Sequence, residues 1–279
     1  MAETGSIFWG KAAAPKDQSI VERKGFRQML LNTETHDAKG GLRAAIERSK
    51  QGFGTVVFCS HNAKNDMVAA LTMLKKVPEF KDKEFVLPIN SMLYKAYWPG
   101  EKLLGIKLMP VHSPEVRRKH VLAKDKTTRK ELSAFDRILV PKEEYLDVET
   151  SLQQYLAASK QALELGGIVL VAPQAQGNLD KLDMTHQRRA FSKFWNYMNQ
   201  FPELQYSVLP MGVSYPESAQ KGKPQKGAHI GERMRIDIGS CYKSDSIGNT
   251  IATSGVNPDL WMYQRVAELL PQAAVKTAI

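Results

Sequence analysis

Cysteine and long apolar runs are scarce in this sequence, and acidic side chains are outnumbered by basic ones. The 279 residues include 2 cysteines, Cys59 and Cys241, which excludes a disulfide-stabilised scaffold. The longest apolar runs, such as residues 166–172, are far shorter than the roughly 20 residues of a membrane-spanning helix. Residues 1–16 lack the continuous apolar core of a signal peptide, so the sequence predicts a cytoplasmic protein.

The 39 Lys and Arg residues outnumber the 29 Asp and Glu residues, which gives a net charge of +10. This surplus suits an anionic partner: nucleic acid, a phospholipid surface, a phosphorylated small molecule or an acidic carrier protein. No nucleic-acid motif is present, and aromatic residues do not alternate with the basic ones as in a stacking groove, so we expect no nucleic-acid partner. The His and Cys spacing suggests no zinc site.

Short apolar strands alternate with amphipathic helices along most of the chain. Predicted strands cover residues 55–59, 85–89, 106–111, 167–172, 207–215 and 234–238. Predicted helices cover residues 67–76, 92–98, 148–163, 188–199 and 259–270, with two more between residues 24 and 50, separated by Gly40 and Gly41. The alternation predicts an α/β fold with a mostly parallel or mixed central sheet flanked by helices.

Two further expectations concern the organisation of this fold. Residues 1–50 are expected to form an N-terminal helical segment or cap, and residues 51–279 the α/β domain. Pro210 interrupts the predicted strand 207–215. Because proline donates no hydrogen bond, this strand is expected at an edge, at a bulge or in an irregular segment.

His61 and Asp66 lie five residues apart, just after the predicted strand 55–59. Open α/β sheets place their binding and catalytic groups past the carboxyl ends of strands. A carboxylate that accepts a hydrogen bond from one imidazole nitrogen leaves the other nitrogen as a base for a substrate hydroxyl. The alternative is structural, with His61 capping the next helix and Asp66 accepting from its first-turn amides.

The order of the later segments resembles the glycerol-3-phosphate and lysophosphatidate acyltransferase superfamily. The segments that carry the resemblance are residues 58–66, with His61 and Asp66, followed by residues 104–113, 165–173, 208–213 and 235–239. Residues 111–113 and the basic cluster after them are most similar to the soluble, plastid-type glycerol-3-phosphate acyltransferases.

This resemblance implies a reaction and its participants. His61 would be the general base on an acceptor hydroxyl, and Asp66 would orient it. The acyl group would come from an acyl thioester of coenzyme A or acyl carrier protein and pass to a glycerolipid precursor in phospholipid biosynthesis. No metal or other cofactor would be needed, and peripheral contact with an anionic membrane would be compatible with the charge.

Two sets of residues are candidates for substrate binding. The densest basic cluster, a candidate anion site or alternatively a solvated charged face, is Arg117, Arg118, Lys119 and His120. The candidate donors to the thioester oxygen or the acceptor hydroxyl are Gln176, Gly177 and Asn178.

One departure from the family supports a second hypothesis. Most members have Pro-Glu-Gly, often with an Arg, at the third motif, whereas residues 173–178 read Pro-Gln-Ala-Gln-Gly-Asn. The alternative function is therefore an inactive acyltransferase-like protein that binds anionic lipid surfaces, with the basic loop 221–227 as a candidate contact.

Overall fold

The computed structural model describes residues 32–61, 66–92, 94, 101, 105–112, 114–132, 137, 148–172, 181–184, 189–217 and 232–276. The α-helices with both ends in these residues are α1 (Gly41–Lys50), α2 (Asp66–Leu74), α3 (Pro114–Lys124), α4 (Val148–Glu164), α5 (Ala190–Met198), α6 (Ser244–Ser254) and α7 (Pro258–Ala267). The strands are β1 (Asn32–His36), β2 (Gly54–Cys59), β3 (Phe85–Asn90), β4 (Lys107–Val111), β5 (Ile168–Val171), β6 (Leu182–Asp183), β7 (Tyr206–Ser214), β8 (Arg233–Ile238), β9 (Tyr242–Lys243) and β10 (Val275–Lys276).

An eight-stranded sheet forms the centre of the protein, in the order β1-β8-β7-β2-β5-β3-β4, with β9 added beside β7. Strands β7, β2, β5, β3 and β4 are mutually parallel, whereas β8 and β9 run antiparallel to β7. The predicted α/β class, with a mostly parallel, mixed sheet flanked by helices, is confirmed. The carboxyl ends of five strands therefore meet at one edge, which we call the carboxyl edge.

The two faces of β2 belong to two separate hydrophobic cores. Val57 and Cys59 pack with α1 and α2 on one face, whereas Val56 and Phe58 pack with α4, α5 and α7 on the other. Successive side chains of a strand point to opposite faces, so a strand covered on both faces needs a continuous apolar sequence. This requirement explains why residues 55–59 were recognisable as a strand.

The chain between residues 32 and 50 differs from the expected pair of helices. Residues 32–36 form β1, which pairs in parallel with β8, and only α1 is helical. Leu42 and Ala45 of α1 are buried in the core beside α2. Residues 32–50 are thus part of the sheet domain rather than a separate helical segment, and residues 1–31 lie outside the described part of the chain.

Strand β7 lies inside the sheet, not at an edge. It pairs with β2 on one side, and on the other with β9 through residues 207–208 and with β8 through residues 211–214. Pro210 falls between these two stretches, and its carbonyl accepts a hydrogen bond from the Gly239 amide at 2.9 Å. The missing proline N–H is therefore on the side where the pairing changes from β9 to β8. Strand β7 is a continuous central strand, not the expected edge strand, bulge or irregular segment.

Candidate active site

Two hydrogen bonds connect the residue after β2 to β7, directly before His61. The Ser60 amide donates to the Met211 carbonyl at 3.0 Å, and the Val213 amide donates to the Ser60 hydroxyl at 2.8 Å. His61 follows Ser60 and is half-buried, and its Nδ1 atom is shielded from solvent. The imidazole is thereby placed at the carboxyl edge, beside the most central strand pair of the sheet.

Asp66 is the first residue of α2 and is fully buried. The hydroxyl of Tyr215, the residue after β7, donates a hydrogen bond to Asp66 Oδ1 at 2.6 Å. Burial, and then the charge and hydrogen bond of Asp66, raise the pKa of Tyr215 far above its ordinary value. Tyr215 therefore remains a protonated donor, and a short charge-assisted bond joins the start of α2 to the end of β7.

Cys59 is the thiol closest in sequence to this group. It is fully buried, and burial followed by the negative charge of Asp66 raises the pKa of its thiol well above the ordinary value. A protonated, buried thiol is a poor nucleophile. Cys59 is therefore poorly suited to act as a nucleophile at this edge.

The predicted basic cluster is dispersed by the helical geometry of α3. Arg117 and Arg118 are exposed, Lys119 is half-buried and His120 is buried. Four consecutive residues on a helix point in directions about 100° apart, so these side chains do not converge on one anion. The other predicted binding residues, Gln176, Gly177 and Asn178, and the basic loop 221–227 lie outside the described residues.

A second buried polar group lies at the end of β4. His112 is buried, its backbone amide donates to the Ser151 hydroxyl at 3.0 Å, and its Nδ1 lies 3.5 Å from the Ser91 hydroxyl oxygen. Burial, and then the charge of His120, lower the pKa of His112 below its ordinary value. His112 is therefore held in its neutral form at neutral pH.

Sequence reasoning missed two residues of the site, Ser60 and Tyr215. Ser60 directly follows the predicted strand 55–59, and Tyr215 ends the predicted strand 207–215, so their positions at strand ends were the available signal. Their contacts span 153 and 149 residues of sequence, respectively. No local pattern indicates partners that are so far apart along the chain.

The Tyr215→Phe variant is expected to lower the free energy of unfolding by about 1–3 kcal/mol, because the buried Asp66 carboxylate loses a hydrogen-bond donor. Urea denaturation of the wild type and the variant measures this difference. We also expect slower turnover in the reaction proposed below, since the hydrogen bond fixes the position of Asp66.

Tyr206→Phe is the matched control, because Tyr206 is also buried and is the first residue of β7, the strand that Tyr215 directly follows. Among the described residues, its hydroxyl has no hydrogen-bond partner, so we expect no loss of stability on its removal. Equal destabilisation by the two substitutions would show that the contact between Tyr215 and Asp66 has no special role.

Within the described part of the chain, no helix has the length and apolar character needed to cross a membrane. Nor do three or more His, Cys, Asp or Glu side chains in these residues form a group that could hold a metal ion.

No protein-family model matches the chain, and no curated protein is significantly similar to it. The function proposed below therefore rests on the sequence motifs and on the arrangement of residues at the carboxyl edge.

Proposed function

We propose that this protein is an O-acyltransferase that moves a fatty acyl group from an acyl thioester to a hydroxyl of a glycerolipid precursor. The observation that carries the proposal is the fully buried Asp66 carboxylate, fixed by Tyr215 beside the end of the central strand that leads into His61. A carboxylate held at this position is what a catalytic histidine needs to keep its orientation and tautomer.

In the proposed reaction, His61 accepts the proton of the acceptor hydroxyl while the hydroxyl oxygen attacks the thioester carbonyl carbon. The C–O bond forms, the C–S bond breaks, and the imidazolium returns its proton to the departing sulfur, which leaves as a thiol. Asp66 stabilises the positive charge that develops on His61 during this sequence. No covalent acyl-enzyme is required, in agreement with the raised pKa of the Cys59 thiol.

The proposed donors are acyl-coenzyme A and acyl-acyl carrier protein, and the proposed acceptors are glycerol-3-phosphate and lysophospholipids. All of these donors and the phosphorylated acceptors are anionic, which suits a chain with a net charge of +10. A cytoplasmic protein that makes peripheral contact with an anionic membrane would meet both its water-soluble donor and its lipid product.

Thiol release from palmitoyl-coenzyme A and from palmitoyl-acyl carrier protein tests the proposal. The acceptors are glycerol-3-phosphate, lysophosphatidate and a lysolipid whose headgroup carries no phosphate. We expect thiol release that depends on one class of acceptor, together with the matching acylated product by mass spectrometry.

Thiol release at the same rate without acceptor would indicate a thioesterase and overturn the proposal. Absence of release with every combination, from protein with a cooperative unfolding transition, would also contradict it. Salt-sensitive binding to anionic vesicles in the same preparation would then favour the inactive, lipid-binding alternative.

A further inference from the structure

One side of α3 carries three cations around a single apolar residue. Arg117, Arg118, Val121 and Lys124 are all exposed, and Val121 is 61% exposed. At about 100° per residue, these four positions fall within an arc of about 120° on the helix. We call this set the basic face of α3.

The opposite side of the helix is already used for packing. Val116 and His120 are buried, and Val116 forms a small core with Met92 and Leu132. This packing fixes the rotation of α3 about its axis, so the basic face is held outward. It also means that the apolar side of the helix is covered by the protein itself.

The charge of this face is not neutralised within the described residues. None of the ion pairs found there involves Arg117, Arg118 or Lys124. The turn that follows adds exposed Lys126, and residues 114–132 together contain seven Lys and Arg against three Asp and Glu. The result is a local positive field that favours an acidic partner.

Helix α3 starts at the same edge of the sheet as the proposed active site. Helix α3 begins just after β4, whose carboxyl end is at the same edge of the sheet as that of β2. Three strand spacings separate β4 from β2, a distance of about 14 Å along the sheet. A partner bound at α3 would therefore need only a flexible arm to deliver a thioester to His61.

We propose that the basic face of α3 docks the acidic acyl carrier protein that brings the acyl thioester. That this docking serves acyl transfer rests on the proposed function. Binding of the carrier itself depends only on the charge and exposure of the helix. The choice of partner depends on charge complementarity, because three exposed cations on one side of a helix attract an acidic protein surface.

A lipid surface fits the same helix less well. Helices that lie in a membrane interface insert an apolar side, and the apolar side of α3 faces the protein interior. The large hydrophobic residues exposed among the described residues are Val68, Val121 and Leu165, and none of them is aromatic. Contact through the basic face of α3 would thus be electrostatic, with one small apolar contact at its centre.

The test compares two double variants that change the net charge by the same amount. Arg117→Glu with Arg118→Glu reverses the charge on the basic face of α3. Lys81→Glu with Lys243→Glu is the control: both lysines are exposed and lie at the opposite edge of the sheet, ahead of β3 and opposite Ser207 at the start of β7.

Three measurements are made on each protein: affinity for a purified holo-acyl carrier protein by fluorescence anisotropy, KM for palmitoyl-acyl carrier protein against KM for palmitoyl-coenzyme A, and sedimentation with phosphatidylglycerol vesicles. We expect the Arg117/Arg118 variant to bind the carrier at least about tenfold more weakly, and the control to bind it like the wild type. The ratio of the carrier KM to the coenzyme A KM is expected to rise by a similar factor in the Arg117/Arg118 variant alone.

Unchanged carrier affinity in the Arg117/Arg118 variant would overturn the docking proposal, even if the wild type transfers acyl groups from coenzyme A. Loss of vesicle binding without loss of carrier binding would also overturn it, in favour of a lipid surface. An equal rise in both KM values would instead indicate a general anion site and contradict a docking surface. Carrier binding through this face without any acyl transfer would uphold the docking and refute the proposed function.

Discussion

The His61→Ala variant is expected to lose acyl transfer by a factor of about 10²–10⁴ in kcat, because the acceptor hydroxyl loses its general base. The residue is half-buried and belongs to neither of the two large hydrophobic cores, so the fold should survive the substitution. Acceptor-dependent thiol release measures the loss, and thermal unfolding by circular dichroism confirms that the variant is folded.

His36→Ala is the control for this experiment. His36 is also half-buried, but it ends β1, whose carboxyl end lies at the opposite edge of the sheet because β1 is parallel to β8 and β8 is antiparallel to β7. We expect it to turn over at the wild-type rate. A folded His61→Ala protein with near-normal kcat would rule out the proposed mechanism and favour a structural, helix-capping role for His61.

The Asp66→Asn variant is expected to lower kcat by roughly 10³–10⁴-fold, with little change in KM for the acceptor. The amide is nearly the same size as the carboxylate and its oxygen can still accept the hydrogen bond from Tyr215, so stability should be retained. What is lost is the negative charge that we propose orients His61 and stabilises its imidazolium form. Steady-state kinetics together with urea denaturation separate this effect from unfolding.

Two further variants make the result interpretable. Asp259→Asn changes another buried carboxylate in the first turn of a helix, where it accepts from the Ser192 amide, and turnover should be unaffected. Asp66→Ala leaves the buried Tyr215 hydroxyl without its acceptor and should cost about 1–3 kcal/mol of stability. Wild-type kcat in a folded Asp66→Asn protein would show that Asp66 has only the structural role that the sequence left open.

Two of the predicted strands are buried on both faces, and their apolar sequences made them recognisable. Residues 55–59 and 168–171 are continuous apolar runs, and their burial in the centre of the sheet follows from that composition. The amphipathic pattern of α4 was equally informative, since Tyr155, Leu156 and Leu163 pack against the sheet while Gln153 and Lys160 do not.

The elements that escaped prediction have polar sequences. Strand β1 reads Asn-Thr-Glu-Thr-His, and it is a strand because β8 supplies its hydrogen-bond partners and ion pairs such as Arg233 with Glu34. Helix α6 contains a single buried residue, Ile247, so no apolar repeat reveals it. Hydrogen-bond and ion-pair partners that come from distant parts of the chain cannot be recognised in the local sequence.

The sequence by itself determined the α/β class, the central strand that leads to His61, and the placement of His61 after that strand and of Asp66 at the start of the next helix. These features are local, because burial of a strand and the start of a helix depend on neighbouring residues. Only the tertiary structure joined Tyr215 to Asp66, packed Ser60 against β7, and turned Arg117 and Arg118 outward while His120 turned inward. The physical reason is that the pairing of β2 with β7 and the packing of α3 on its core decide which side chains meet, and both bring together residues remote in sequence.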